Sequence, residues 1–283
     1  MPLMNHHVPG HWTLPLPLTL LCLLFVILYF KGWRNLRANP AGKISTSRAI
    51  GFLSGLLLIW IAIGSPLAML DAQLLTAHMV QHLLLMTIGP ALLLLGAPLL
   101  ALRSSLPQRF VQALLDPMFR SNPLQSVGKF LSNPIVCWLA ASVTLILWHI
   151  PTIFAVALES PALHLAEHAT FLFAGFFFWW PVIQPWPASP IWPRWPLLLY
   201  LFLATIPCDI LSAYLTFSDR VVYTSYLQNP PALGFSVLQD QQFAGSLMWT
   251  CVTIIYLVPA AILTIRLLGC QPQETHSSGL AKP

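Results

Sequence analysis

The sequence predicts an all-α polytopic membrane protein, a bundle of seven transmembrane helices with the N-terminus outside and the C-terminus in the cytoplasm. Three observations carry this. Of 283 residues, 57% are hydrophobic and only 7% are charged, against roughly 25% charged in an average soluble domain. Seven apolar runs, at about 14–31, 47–68, 72–100, 134–158, 162–184, 195–217 and 243–268, are long enough to cross about 30 Å of hydrocarbon. When the chain is threaded through them in alternation, all of the 13 Lys and Arg except Arg220 fall on one side, which the positive-inside rule assigns to the cytoplasm.

The first run is read as a retained span: no positive charge precedes it and no small-residue cleavage site follows it. Lys31, Arg34, Arg37, Lys43 and Arg48 flank the first connection and set the orientation. A β-barrel is excluded, because "LLLLGAPLL" and "FLFAGFFFWW" are apolar on every side rather than alternating. The long cytoplasmic connection 101–133 contains "PQRFVQALLDPMFR", where Phe110, Val111, Leu114, Leu115 and Met118 share a helical face, as in a short interfacial helix. Outside, "SDRVVYTSYLQNPPALGFSVLQDQQ" is expected to lie over the helix ends as a mobile lid. Residues 1–268 are read as one membrane domain and 269–283 as a disordered cytoplasmic tail. The formal charge of +5 is topological, so nucleic acid is not an expected partner; the bilayer is.

Ionisable residues are costly in hydrocarbon, so those inside the runs mark function. In "HMVQHLLLM", His78 and His82 lie about 9 and 15 Å below the external end of the third run, at 1.5 Å per residue. His149 of "WHIP" lies about 13 Å below the same surface on the fourth run. His164 and His168 of "HLAEHATFLFAGFFFWWPV" occupy the first two turns of the fifth. Both pairs are i, i+4 neighbours and project from one face. Three helices thus offer a set of imidazoles that suits copper, zinc, iron or haem.

The remaining polar and soft residues are auxiliary candidates. Glu167 and Asp209 can orient an imidazole from behind, Asp240 stands at the external start of the seventh run, and Met79, Met86, Met248 and Cys208 are soft donors. Each has a plainer reading: a lone histidine as an interhelical hydrogen-bond partner, a methionine as core filler. Five histidines at one depth strain that reading. The Trp-rich stretch 176–196 reads as an aromatic belt, and His6, His7 and His11 either as a place for capturing metal at the external mouth or, equally, as part of a disordered N-terminus. The five cysteines show no C-x-x-C spacing, so neither a disulfide framework nor a thiolate zinc site is indicated.

"HMVQHLLLM", "WHIPTIFAVAL", "HLAEHATFLFAGFFFWWPV" and "DQQFAGSLMW", in this order, resemble the CtaG family of multi-span bacterial assembly factors of caa-type cytochrome c oxidase, over about residues 45–268. The resemblance implies a non-enzymatic protein of the bacterial inner (plasma) membrane, handling copper for the oxidase, with oxidase subunits or other copper chaperones as partners. Its family residues carry over as His78, His82, His149, His164, His168, Asp240 and Gly245. Two other chemistries fit the same histidines. "HLAEH" has the H-x-x-E-H order of some zinc proteases, with Glu167 as general base, and histidines on facing helices can ligate b-type haem.

Overall fold

The computed structural model describes residues 12–38, 45–117, 121–183, 194–228 and 234–269. Among these residues every regular element is helical. The long elements are α1 (Leu16–Ala38), α2 (Thr46–Gly64), a single turn α3 (Leu67–Leu70), α4 (Leu75–Leu83), α5 (Gly89–Leu95), α6 (Pro98–Ser105), α7 (Asn122–Leu131), α8 (Pro134–Trp148), α9 (Pro151–Glu159), α10 (Pro161–Ile183), α11 (Arg194–Phe217) and α12 (Val237–Leu268). His6, His7, His11 and the chain after Gly269 lie outside the described residues.

Five helical stretches among the described residues are long and apolar enough to cross a membrane: Leu16–Ala38, Thr46–Leu70, Leu75–Leu95, Trp195–Phe217 and Val237–Leu268. A sixth is added if α7 and α8, bent by 61° at their junction, form one span. The 23-residue α10 has the length of a span, but two histidines and a glutamate in its first half dilute its apolar character. The outer helices expose Leu20, Leu23, Ile27, Phe202, Ile210 and Ile265. Such a surface is tolerable only against lipid.

α4 runs through a π-helical turn at Leu84–Ile88 into α5; α4 packs on α12, while the π-turn and α5 carry the packing on α10 and most of that on α2. α10 also packs on α8, α8 on α11, and α11 along α12, so α4, α10, α8, α11 and α12 close a ring. A cavity of about 40 Å³ at its centre is lined by His82, Met86, His149, Cys208 and Met248 with apolar neighbours. Close approach of α11 and α12 depends on Gly245, where a Cβ would stand 2.9 Å from the Ser212 carbonyl.

Two expected spans are broken, each for a local reason. The third stops at Leu95 because Ala97 takes a left-handed φ of 49° before Pro98 starts α6. The fourth stops at Trp148 because Pro151 supplies no N–H to continue the ladder and holds Ile150 extended. Inside a membrane the carbonyls at a break need donors: Leu145 O keeps the His149 N–H at 3.3 Å and gains His149 Nδ1 at 2.7 Å, and Tyr223 OH donates to His149 O at 3.1 Å.

The two long connections differ from expectation. The stretch after Pro107 is a turn of helix running into a π-helix at Val111–Leu115, with Val111 buried but Phe110 exposed, so these two do not share a buried face. Met118 and Arg120 lie outside the described residues. The described part of the expected mobile lid is anchored. Gln241 accepts from Val222 N at 2.7 Å and donates to Arg220 O at 3.1 Å, while Tyr226 OH, on a 3-10 turn at Thr224–Gln228, donates to Asp71 O at 2.8 Å.

Candidate metal centre

α4 brings His78 and His82 to one face, and α10 faces them with His164, Glu167 and His168. The four imidazoles pack together, with His78–His82 ring centroids 4.3 Å apart, His164–His168 4.4 Å and His78–His164 5.6 Å. Glu167, fully buried, projects between the helices: Oε1 is 3.4 Å from His78 Nε2 and 3.3 Å from His82 Nε2. A carboxylate buried this deeply is stable only beside positive charge or donors.

The hydrogen-bond pattern is the telling feature. Among the described residues, both ring nitrogens of His78 and of His82, both carboxylate oxygens of Glu167, and Nε2 of His164 and of His168 are buried without a hydrogen bond; the polar contacts that some of them make are to one another or to Asp71, at 3.3–3.5 Å. Buried polar groups are nearly always paired, and unsatisfied ones in a native fold call for an explanation. Here the unpaired atoms converge. His78, His82 and Glu167 offer one ligand atom each within 4.8 Å of one another, and so do Asp71, His78 and His164.

The surroundings hold the two helices in place. Asp240 accepts from Leu75 N at 2.6 Å and from Thr76 Oγ1 at 2.6 Å, fixing the start of α4. Trp148 Nε1 donates to Thr170 Oγ1, which donates to Glu167 O at 2.9 Å, fixing the turn of α10 that carries the site. Gln81, one turn beyond His78, donates to Ala62 O at 2.8 Å and ties α4 to α2.

Measured against the sequence-based expectations, His78, His82, His164 and His168 do come together. His149 lies beside them, with its ring 5.7 Å from that of His82, but its Nδ1 is committed to Leu145 O and its Nε2 meets Met79 Sδ at 3.3 Å. The broken helix turns it away from the carboxylate. Glu167, expected behind an imidazole, is itself within ligand distance of the others. Asp240 is a helix cap. Asp209, with Oδ1 buried and unpaired, belongs to neither cluster, and Met86 and Cys208 line the cavity beyond His82.

Asp71 was not anticipated. It sits in the turn before α4, Oδ2 3.5 Å from His164 Nε2. Burial pushes its carboxyl above the usual range, opposed by His164 and then His78. The signal available in the sequence was an acid in "AMLDAQLL", two helical turns ahead of His78.

The chain matches the family described as cytochrome c oxidase caa3 assembly factor over residues 27–269. It is 25% identical over 259 residues to uncharacterized proteins of Mycobacterium bovis and Mycobacterium tuberculosis, covering 85% of this chain and 37% of each relative. The chain thus spans little more than a third of the length of these relatives. No solved structure matches it. With the match running from α1 to the end of α12, the chain belongs to the cytochrome c oxidase caa3 assembly factor family.

Proposed function

We propose that this chain is a non-enzymatic, seven-span assembly factor of the bacterial plasma membrane that binds a copper ion from the external side and passes it to an oxidase subunit or a copper chaperone. The observation that carries the reading is the convergence of unpaired buried atoms of His78, His82, His164, His168 and Glu167. A fold that leaves this many polar atoms unsatisfied in one place loses stability unless a cation completes them. Imidazole nitrogens with a carboxylate suit Cu(II) as they do Zn(II). Family membership supplies the destination, the oxidase.

The full chain, purified in detergent and exposed to Cu(II), is expected to retain copper through dialysis, and the His78→Ala and His82→Ala variants to lose it together with support of oxidase assembly. Retention of no copper by the wild-type chain would defeat the reading.

One observation favours a second reading. Two histidines and a glutamate form the ligand set of several catalytic zinc sites, so a zinc hydrolase is the rival. It requires selective zinc uptake and a hydrolytic activity lost in Glu167→Gln. A b-type haem on the same histidines would instead show a Soret band.

A further inference from the structure

Two three-ligand sets share one residue. Asp71, His78 and His164 form one, and His78, His82 and Glu167 the other. They differ in access: His164 is 22% exposed, whereas His78, His82 and Glu167 are 1%, 4% and 1% exposed at the side chain. They also differ in support, since Asp71 lies in a turn whose backbone is held by Tyr226 of the external connection, while Glu167 is fixed within α10. His78 belongs to both: its ring stacks on that of His164 with centroids 5.6 Å apart, and its Nε2 is 3.4 Å from Glu167 Oε1.

We propose that Asp71, His78 and His164 form an outer capture site for a divalent cation of the copper or zinc type. From it the ion passes to the inner set by exchanging Asp71 and His164 for His82 and Glu167 while His78 stays bound. Charge argues for one ion moving between two positions rather than two ions held together. Asp71 and Glu167 together carry two negative charges, which one divalent cation neutralises; two such cations would leave two uncompensated positive charges in a buried setting, which the low-dielectric interior penalises. A stepwise exchange keeps at least one imidazole on the metal throughout, so the ion never crosses the apolar wall bare.

This scheme rests on the proposed copper binding but fails separately from it. The test is stopped-flow quenching of the intrinsic tryptophan fluorescence by Cu(II) alone, followed by dialysis and metal analysis, on the full chain in detergent. The wild-type chain is expected to load quickly and retain one copper. Asp71→Asn, which leaves the Tyr226 contact to the backbone intact, is expected to load roughly tenfold more slowly and still retain one copper, with His164→Gln behaving alike. Glu167→Gln is expected to load at the wild-type rate and lose its copper on dialysis. Loading of Asp71→Asn and His164→Gln at the wild-type rate, loss of retention in either, or retention of two coppers by the wild-type chain overturns the two-position scheme while leaving copper binding standing. A wild-type chain that takes up no copper defeats both.

Discussion

Asp240 on α12 receives the side-chain hydroxyl of Thr76 at 2.6 Å, 164 residues earlier in the chain, and the backbone N–H of Leu75 at 2.6 Å. The first turn of α4 has no cap of its own, since Leu74 precedes it. Its unpaired N–H groups therefore depend on a carboxylate from another helix, which the helix dipole also favours. Asp240→Ala is expected to destabilise the protein by about 1–3 kcal/mol, the range for losing a buried cap and stranding its donors. Copper affinity should fall with it, because His78 and His82 ride on the turn that frays. Asp240→Asn, which keeps an acceptor, should recover part of both. Thermal unfolding in detergent beside copper titration checks this, and an Asp240→Ala variant with wild-type values of each would remove Asp240 from the support of the site.

His149 and His82 make a paired test of which histidines hold metal. Both line the central cavity, but His149 spends Nδ1 on the Leu145 carbonyl of its own helix, while His82 makes no hydrogen bond and turns Nε2 to Glu167 Oε1 at 3.3 Å. His82→Ala is expected to abolish copper retention. His149→Ala should lower stability by about 1 kcal/mol through loss of the Nδ1 bond to the Leu145 carbonyl, which the residue 149 backbone N–H still reaches, and leave copper affinity within roughly tenfold of wild type, below the loss expected for a ligand. Metal retention in the two variants after identical dialysis decides it; equal loss would place His149 on the metal.

Much of this was legible in the sequence, and what was not has a physical cause. Helix ends follow from apolar runs and their punctuation, so α10 and α11 begin within a residue of the expected positions. Depth along a helix is arithmetic, so His78, His82, His164 and His168 converged on paper as they do in space. Side-chain direction at a break is not arithmetic. Pro151 was visible, but the turn of His149 Nδ1 back onto the Leu145 carbonyl depends on the local backbone path. Asp71 and Asp240 exchanged importance for a similar reason. Each lies at a helix boundary, where only tertiary packing decides whether an acid caps a neighbour, as Asp240 does, or faces a histidine, as Asp71 does.

Glu167 separates charge from shape. Glu167→Gln preserves side-chain volume and removes the negative charge that lies 3.3 Å from His82 and 3.4 Å from His78. If the carboxylate binds the ion, equilibrium copper affinity should drop by roughly 10–100-fold or more. Metal-free stability should change little, because the contacts to His78 and His82 offset only part of the cost of burying a carboxylate that a neutral amide avoids. Copper titration and thermal unfolding of the metal-free protein read the two effects apart. A variant with lower metal-free stability and unchanged affinity would make Glu167 a structural partner of the histidines.

Gly175 sets the spacing between the two helices that form the site. A Cβ there would stand 2.5 Å from the Met86 carbonyl oxygen and 2.8 Å from Pro90 Cγ, so α10 rests directly on the π-helical turn that follows His82. Backbone atoms cannot swing aside, and Gly175→Ala must push α10 away from α4. Overpacking of this kind costs about 1–3 kcal/mol. The same displacement carries Glu167 and His168, two turns earlier on α10, away from His78 and His82, so copper affinity should fall although no ligand is changed. Gly128→Ala, where a Cβ meets nothing within 4 Å, serves as the control and should be neutral or slightly stabilising, since alanine favours the helix over glycine. Equal copper affinity in Gly175→Ala and Gly128→Ala would show that the contact between α10 and the π-turn does not set the geometry of the metal ligands.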